Sequence, residues 1–344
     1  MAAPFLFGFL ALFQKKLTSE ERRFMVKGVR SGRLSALQRS LHIFRRRWQL
    51  HAFMLIPLIY IIIFAYVPMF GLQIAFKNYT IRAGVFGSPW AGFRHFETFF
   101  NSFHFWRSLR NTIVISLYSL CVGFPIPIIF ALLMNLVRNL RFRKVVQTVT
   151  YLPHFISTVV LVGMIVQMLN PVTGLYGVLY KMLGGQGYPT APTSIPRAFY
   201  HLYVWSGVWQ GFGWSSIIYM AALAGVPMEL HEAAMVDGAS RLRRVVVIDL
   251  PTIMPTILIL FIMNVGSLLG IGFEKAYFMQ NSLNQEYSEI IATHVYKMTF
   301  KSTSSTKYSY STAVGLFNSV VNCTLLLIVN FITKRLSADN TSLF

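Results

Sequence analysis

Residues 228–255 read MELHEAAMVDGASRLRRVVVIDLPTIMP, a charged insert that separates two apolar runs, 200–224 and 251–273, neither of which holds an Asp, Glu, Lys or Arg. Each run is long enough to cross a bilayer as a helix, which takes roughly 20 residues. Just ahead of the insert Pro227 ends the preceding run, and Glu229 through Val236 are good helix formers without a breaker. Gly238 offers the backbone a turn that other residues resist. A second short helix from Ala239 then leads to Pro251, where the next run begins. The spacing predicts a helix, a turn and a helix outside the membrane, acidic in its first half (Glu229, Glu232, Asp237) and basic in its second (Arg241, Arg243, Arg244). A bundle that only had to span would have no use for such an element.

Four more runs free of those charges, 50–76, 111–137, 145–169 and 311–333, bring the expected spans to six. Pro57, Pro68, Pro125, Pro127, Pro153 and Pro255 lie inside them and predict kinks that neighbouring helices tolerate. The chain has 344 residues, 55% of them hydrophobic and 12% charged, and its mean hydropathy of +0.54 argues against a water-soluble enzyme. Its formal charge of +20 would suit a nucleic-acid binder if it were spread over a folded surface. Instead the charges sit in short segments between the apolar runs. With both termini in the cytoplasm, the inner segments (1–49, 138–144, 225–250 and 334–344) carry 20 basic residues in 93, against 11 in 101 for the outer ones (77–110, 170–199 and 274–310). The positive-inside bias selects this orientation, with Arg138, Arg141, Arg143 and Lys144 as its sharpest anchor. The expected fold is an all-α membrane protein of six transmembrane helices, with cytoplasmic N- and C-termini and a cytoplasmic loop, 225–250, between helices four and five. Cys121 and Cys323 lie inside apolar runs, which leaves no disulfide framework, and no metal site is expected.

Residues 1–49 read as a basic cytoplasmic extension. Its start, MAAPFLFGFLALF, is too short to span and lacks the charge order and cleavage site of a signal peptide. It reads as an interfacial or loosely ordered extension, or as sequence ahead of a true start at Met25. Residues 50–110 comprise the first span and an outer aromatic loop. In that loop WAGFRHFETFFNSFHFW (90–106) fits an amphipathic helix at the headgroup level, either a belt that anchors the bundle or a contact with an external partner. Outer loop 274–310, with its Ser, Thr, Asn and Tyr, is long enough to cap the bundle or meet a docked protein. Residues 111–333 form the core and 334–344 a cytoplasmic tail.

The insert resembles the EAA loop of the membrane permeases of bacterial binding-protein-dependent ABC importers. The family pattern runs Glu-Ala-Ala, three residues, Gly, then nine residues to Ile-x-Leu-Pro. Glu232, Ala233, Ala234, Gly238, Ile248, Leu250 and Pro251 match it, and Asp237, Gly238 and Ala239 form the triplet common in the sugar-importing branch. FWRSLRNT (105–112) looks like the family's approach to the transport core. Asn170-Pro171, Gly174-Leu175, FEKAYFMQN (273–281) and YSYSTAVGLFNSV (308–320) resemble the subgroup that imports complex oligosaccharides and polysaccharide fragments. One departure is the run Val245, Val246, Val247, where many relatives carry bulky aromatics; it leaves the packing of the second loop helix open.

The resemblance implies a permease subunit in the bacterial cytoplasmic membrane, paired with a second, homologous permease, two copies of an ABC ATPase and an extracytoplasmic solute-binding protein. The first loop helix would dock on the ATPase, with Glu232 as the polar contact, Ala233 and Ala234 permitting close approach and Gly238 setting the angle between the two helices. ATP and magnesium would be used by that ATPase, and this chain would bind no cofactor. The implied substrate is an oligosaccharide moved by alternating access. Another solute class, such as amino acids, is the nearest rival; a stand-alone channel or secondary carrier would have no use for the loop.

The residues themselves agree with an outside energy source. The spans hold no carboxylate or base for ion coupling, and no HExxH, P-loop or GxSxG occurs, so no catalytic residue is assigned. Gln73, Gln167, Gln210, Asn264, Asn318 and Asn322 remain as amides in the spans, with Tyr203, Trp205, Trp209, Trp214 and Tyr219 gathered in the run 200–224. Amides hydrogen-bond to hydroxyls and aromatic faces stack on sugar rings, although the same groups also join helices to one another. Trp209, Gln210, Asn264 and Asn318 are the candidates for the substrate pathway. His154 and His201 are solitary and read as structural.

Overall fold

The computed structural model describes residues 48–303 and 306–336. Most of the basic extension and the tail beyond residue 336 lie outside the described residues. The described residues divide into two compact units at the boundary between Gln73 and Ile74. The described part of the first is helical, beginning at Trp48 with an almost wholly apolar sequence; it belongs to a continuous helical run, α1 (Ala52–Phe76), long and apolar enough to cross a membrane.

In the second unit the regular secondary structure among the described residues is helical, with an isolated antiparallel bridge between Lys77 and Trp90 and turns or irregular segments joining the helices. A short helix α2 (Arg94–Phe100) precedes α3 (Phe103–Leu136). Then come α4 (Leu140–Phe155), α5 (Thr158–Met168), α6 (Leu175–Met182), α7 (Ala198–Leu223), α8 (Met228–Val236) and α9 (Arg241–Gly266). The chain continues with α10 (Phe273–Met279), α11 (Ile291–Tyr296) and α12 (Lys307–Leu336). Four helices, α1, α3, α9 and α12, meet the length and hydropathy of a span; the bent pairs α4–α5 and α7–α8 raise the number to six if each is one span.

At the centre of the unit α7 packs against α3, α9 and α10. Tyr219, Met220 and Leu223 of α7 bury against Ile128, Ala131 and Met134 of α3 and Ile253 and Ile257 of α9. Phe199, Tyr203 and Val204 bury against Ile115, Val162, Ala276 and Met279. Other apolar side chains face outward, among them Phe155 at 71% and Phe331 at 55% exposure. Contiguous surface of this kind is tolerated where hydrocarbon or another subunit covers it, not in water.

Several elements differ from the sequence expectation. The run 145–169 is divided between two helices that meet at 98°. Pro153 has no N–H to continue the helical ladder, Ser157 caps α5 by accepting from Val160 N, and the Gln210 amide of α7 donates to the Ile156 carbonyl exposed at the break, 2.7 Å away. The aromatic segment 90–106 is likewise divided. Ser102 accepts from Phe105 N and starts α3 there, so Phe99 and Phe105 bury with Ile291, Tyr310 and Val314 while Phe103 and Trp106 stay exposed. The run 251–273 stops being helical at Gly266, where Asn322 Oδ1 accepts from Leu269 N and Ser116 donates to the Leu268 carbonyl.

Loop 274–310 is folded and partly buried. Fully buried Asn111 donates to the carbonyls of Glu286 (2.8 Å) and Glu289 (2.9 Å), and Thr112 accepts from Ile291 N. Glu289, 2% exposed, pairs with Arg107. His104 lies 3.4 Å from the same carboxylate and His294 3.7 Å. Burial, with Arg107 and Lys297 nearby, pulls His294 down to about 4. It is therefore neutral at physiological pH, and Arg107 carries the charge compensation.

Candidate functional site

At one end of the bundle, α7 turns through 76° at Pro227 into α8. Glu229 sits in the first turn of α8, where a carboxylate favours the positive end of the helix dipole. The helix ends in a Schellman cap, a purely local device. Ala239 N donates to Ala234 O at 2.9 Å and Gly238 N to Met235 O at 3.1 Å, which requires the left-handed backbone that Gly238 adopts at φ 74°. The two alanines are half-buried beneath the turn, while Glu232, Ala233, Asp237 and Gly238 are exposed. Ser240 then accepts from Arg243 N and starts α9.

The second loop helix expected to end at Pro251 does not exist as a separate element: residues 241–266 form one helix. Pro251 cannot donate to the carbonyl four residues back. The helix absorbs this by widening over Val245–Asp249, with Leu250 N reaching Val245 O. Ile248 and Leu250 are half-buried there, Leu250 against the α3–α7–α9 core, and Pro251 is exposed. Of the three valines in place of aromatics, Val245 is buried and Val246 and Val247 are exposed. His231 Nε2 of α8 lies 3.2 Å from Oδ1 of Asp249, whose side chain is 2% exposed, which brings α8 against the base of α9; that oxygen makes no hydrogen bond among the described residues. His231→Ala removes the imidazole nearest that buried carboxylate and is expected to lower stability by about 1 kcal/mol; the check is the thermal midpoint of the purified complex in detergent.

Between α3, α7 and α9 lies a cavity of about 510 Å³, lined by Ser116, Ser119, Tyr203, Tyr219, Asn264 and Ser267 among others. A second of about 280 Å³ shares Ser119, Tyr203 and Ser215 with it and adds Gln210 and Lys275. Two of the four pathway candidates, Gln210 and Asn264, thus line the paired cavities. Trp209 is exposed elsewhere on α7, and Asn318 lies outside both linings, with its side-chain oxygen buried and unbonded. Other aromatics of α7 join helices: Trp205 donates to Tyr118, and Trp214 stacks on His154 at 4.6 Å. His201 also bonds Tyr118.

Lys275 stands within FEKAYFMQN (273–281), and nothing in that stretch by itself marks it as a buried residue. The side chain is 8% exposed and its ammonium donates to Tyr203 O at 2.7 Å. It sits on α10, which is not one of the candidate spans, and burial pulls it down to about 7. Among the described residues, one grouping has the donors for a metal: His104, Glu289 and His294, with ligand atoms within 4.8 Å of one another. Arg107 already neutralises that carboxylate, and a metal would have to displace it.

Fold and site together define a helical membrane protein with an exposed, capped helix at one end of its bundle and a cavity whose lining mixes apolar side chains with hydroxyls and amides. The chain belongs to the family of binding-protein-dependent transport system inner membrane components, whose model matches residues 123–338. It is a multi-pass transport component of the bacterial cytoplasmic membrane. It is 40% identical over 295 residues to the protein LplB of Bacillus subtilis (strain 168), covering 86% of this chain and 91% of that one. It is also 40% identical over 281 residues to the polygalacturonan/rhamnogalacturonan transport system permease YteP of the same organism, covering 82% and 86%. Among solved structures, it superimposes with a TM-score of 0.78 and 36% identity on a chain of a bacterial alginate ABC transporter in complex with alginate pentasaccharide-bound periplasmic protein, covering 86% of this chain and 98% of that one.

Proposed function

We propose that this chain is one of two permease subunits of an ABC importer that carries oligosaccharides, breakdown products of polysaccharides, across the cytoplasmic membrane. In this reading it spans six times, with α4–α5 as one broken span and both termini in the cytoplasm. The capped helix α8 docks on a cytoplasmic ATPase that consumes ATP and magnesium, and an extracytoplasmic binding protein delivers the solute. The observation that carries the proposal is the construction of α8. Its end is fixed by its cap, and His231 brings it within 3.2 Å of Asp249 at the base of α9, so a push on Glu232 and its neighbours would be passed to α9. Rigid-body motion of helices is what alternating access needs. The oligosaccharide reading is supported by the carbohydrates named for YteP and the alginate transporter and by the hydroxyl and amide lining of the cavities.

The test is purification from the native membrane followed by reconstitution with the binding protein. An ATPase and a second permease should accompany the chain, and oligosaccharides should stimulate ATP hydrolysis. Isolation as a lone oligomer without ATPase would overturn the reading, and stimulation by amino acids alone would replace the solute class.

A further inference from the structure

One feature of the smaller cavity is the buried ammonium of Lys275. Lysine is rarely buried without a partner, and a buried ammonium has three donors to satisfy. At Lys275 one goes to the Tyr203 carbonyl, and the Tyr203 ring lies 4.7 Å from Nζ as a cation–π partner. Among the described residues no carboxylate forms an ion pair with this lysine; its chain neighbour Glu274 is exposed. The remaining donors belong to a group that lines the smaller cavity beside Ser119, Gln210 and Ser215. Space for the ammonium is made by Gly207, where a Cβ would come within 3.0 Å of Nζ.

We infer that Lys275 is a subsite for the carboxylate of a uronic-acid residue, so that the transported solute is an acidic oligosaccharide. The anion would complete the ammonium's hydrogen bonds and supply the missing countercharge, while Ser119, Ser215 and Gln210 meet the ring hydroxyls. A sugar phosphate presents an anionic group of the same kind. The lining holds only one cation, which matches a singly charged carboxylate better than a phosphate dianion. The lowered pKa of Lys275 fits an ammonium that lacks its partner until solute arrives.

This inference rests on the oligosaccharide reading above, and the experiment separates the two. The complete importer, reconstituted with its binding protein, is assayed for ATP hydrolysis with three probes: trigalacturonate, its carboxyl-reduced neutral trimer, and sn-glycerol 3-phosphate. Trigalacturonate is expected to stimulate the wild type best. Lys275→Met should lower its apparent affinity about tenfold or more relative to the neutral trimer, and Lys275→Arg should retain most of the preference. Gly207→Ala, which crowds the ammonium without touching its charge, should shift the preference in the same direction, and it carries the test if the lysine variant does not assemble. Preference for the neutral trimer, or an unchanged preference in both Lys275→Met and Gly207→Ala, overturns the carboxylate subsite and leaves the oligosaccharide reading standing. Stimulation by glycerol phosphate alone, or by none of the probes, overturns both.

Discussion

Gly238→Val is expected to silence the proposed importer while leaving the chain in the membrane. At φ 74° a β-branched residue costs at least about 1–2 kcal/mol. The two hydrogen bonds of the Schellman cap, Ala239 N to Ala234 O and Gly238 N to Met235 O, exist only with that backbone. Nothing lies within 4 Å of where a Cβ would stand, so the effect is conformational and not a clash. The variant should insert and assemble at wild-type abundance, with solute-stimulated ATP hydrolysis lost. Gly238→Asn, which tolerates the left-handed region, should recover most of it. Full stimulation in Gly238→Val would remove the turn from the coupling path.

Glu289→Ala should produce the largest loss of stability. It removes the carboxylate paired with Arg107, a half-buried guanidinium (16% exposed) that Glu286 also attracts, and losing a charged partner at such a site costs about 1–3 kcal/mol. The neighbouring histidine His294 is neutral and carries no charge that could be rearranged to help. The thermal midpoint of the purified protein should fall clearly, and the double variant Arg107→Met with Glu289→Met should recover much of the loss, because an apolar pair of similar size replaces the ion pair without stranding either member. If the single and double variants melt alike, the pair does not hold loop 274–310 to α3.

These two sites differ in how far the sequence could announce them. The cap at Gly238 closes between residues 234 and 239, so its chemistry is contained in six consecutive residues and reads directly from EAA, Asp, Gly, Ala. The apolar spans are legible for a similar reason: a bilayer demands long uncharged runs, and composition alone reports them. Arg107 and Glu289 stand 182 positions apart, and in sequence each is merely a charge in an outer segment. Lys275 shows the same limit. Its acceptor is 72 positions away on α7, and without that helix it reads as one polar residue after an apolar run.

The break between α4 and α5 shows why the pathway candidates were only partly placed. Pro153 weakens the helix locally, but a kinked span and a 98° bend are both open to such a proline. At the bend Gln210 reaches from α7 and donates to the carbonyl of Ile156, a partner that a proline alone does not announce. The same side chain was read from sequence as a sugar contact, and it lines the smaller cavity while spending one amide donor on this bond.

The sequence by itself determined the apolar spans, the excess of basic charge between them and the capped helix–turn that marks the family, because each depends on solvent or on neighbours a few residues away. Only the tertiary structure decided that α9 runs unbroken through Pro251, that α4 and α5 part company, and that Lys275 is buried beside a cavity with no carboxylate paired to it among the described residues. Those outcomes depend on which donor, acceptor or void a distant helix brings to the same place, and buried polar groups are settled by such pairings.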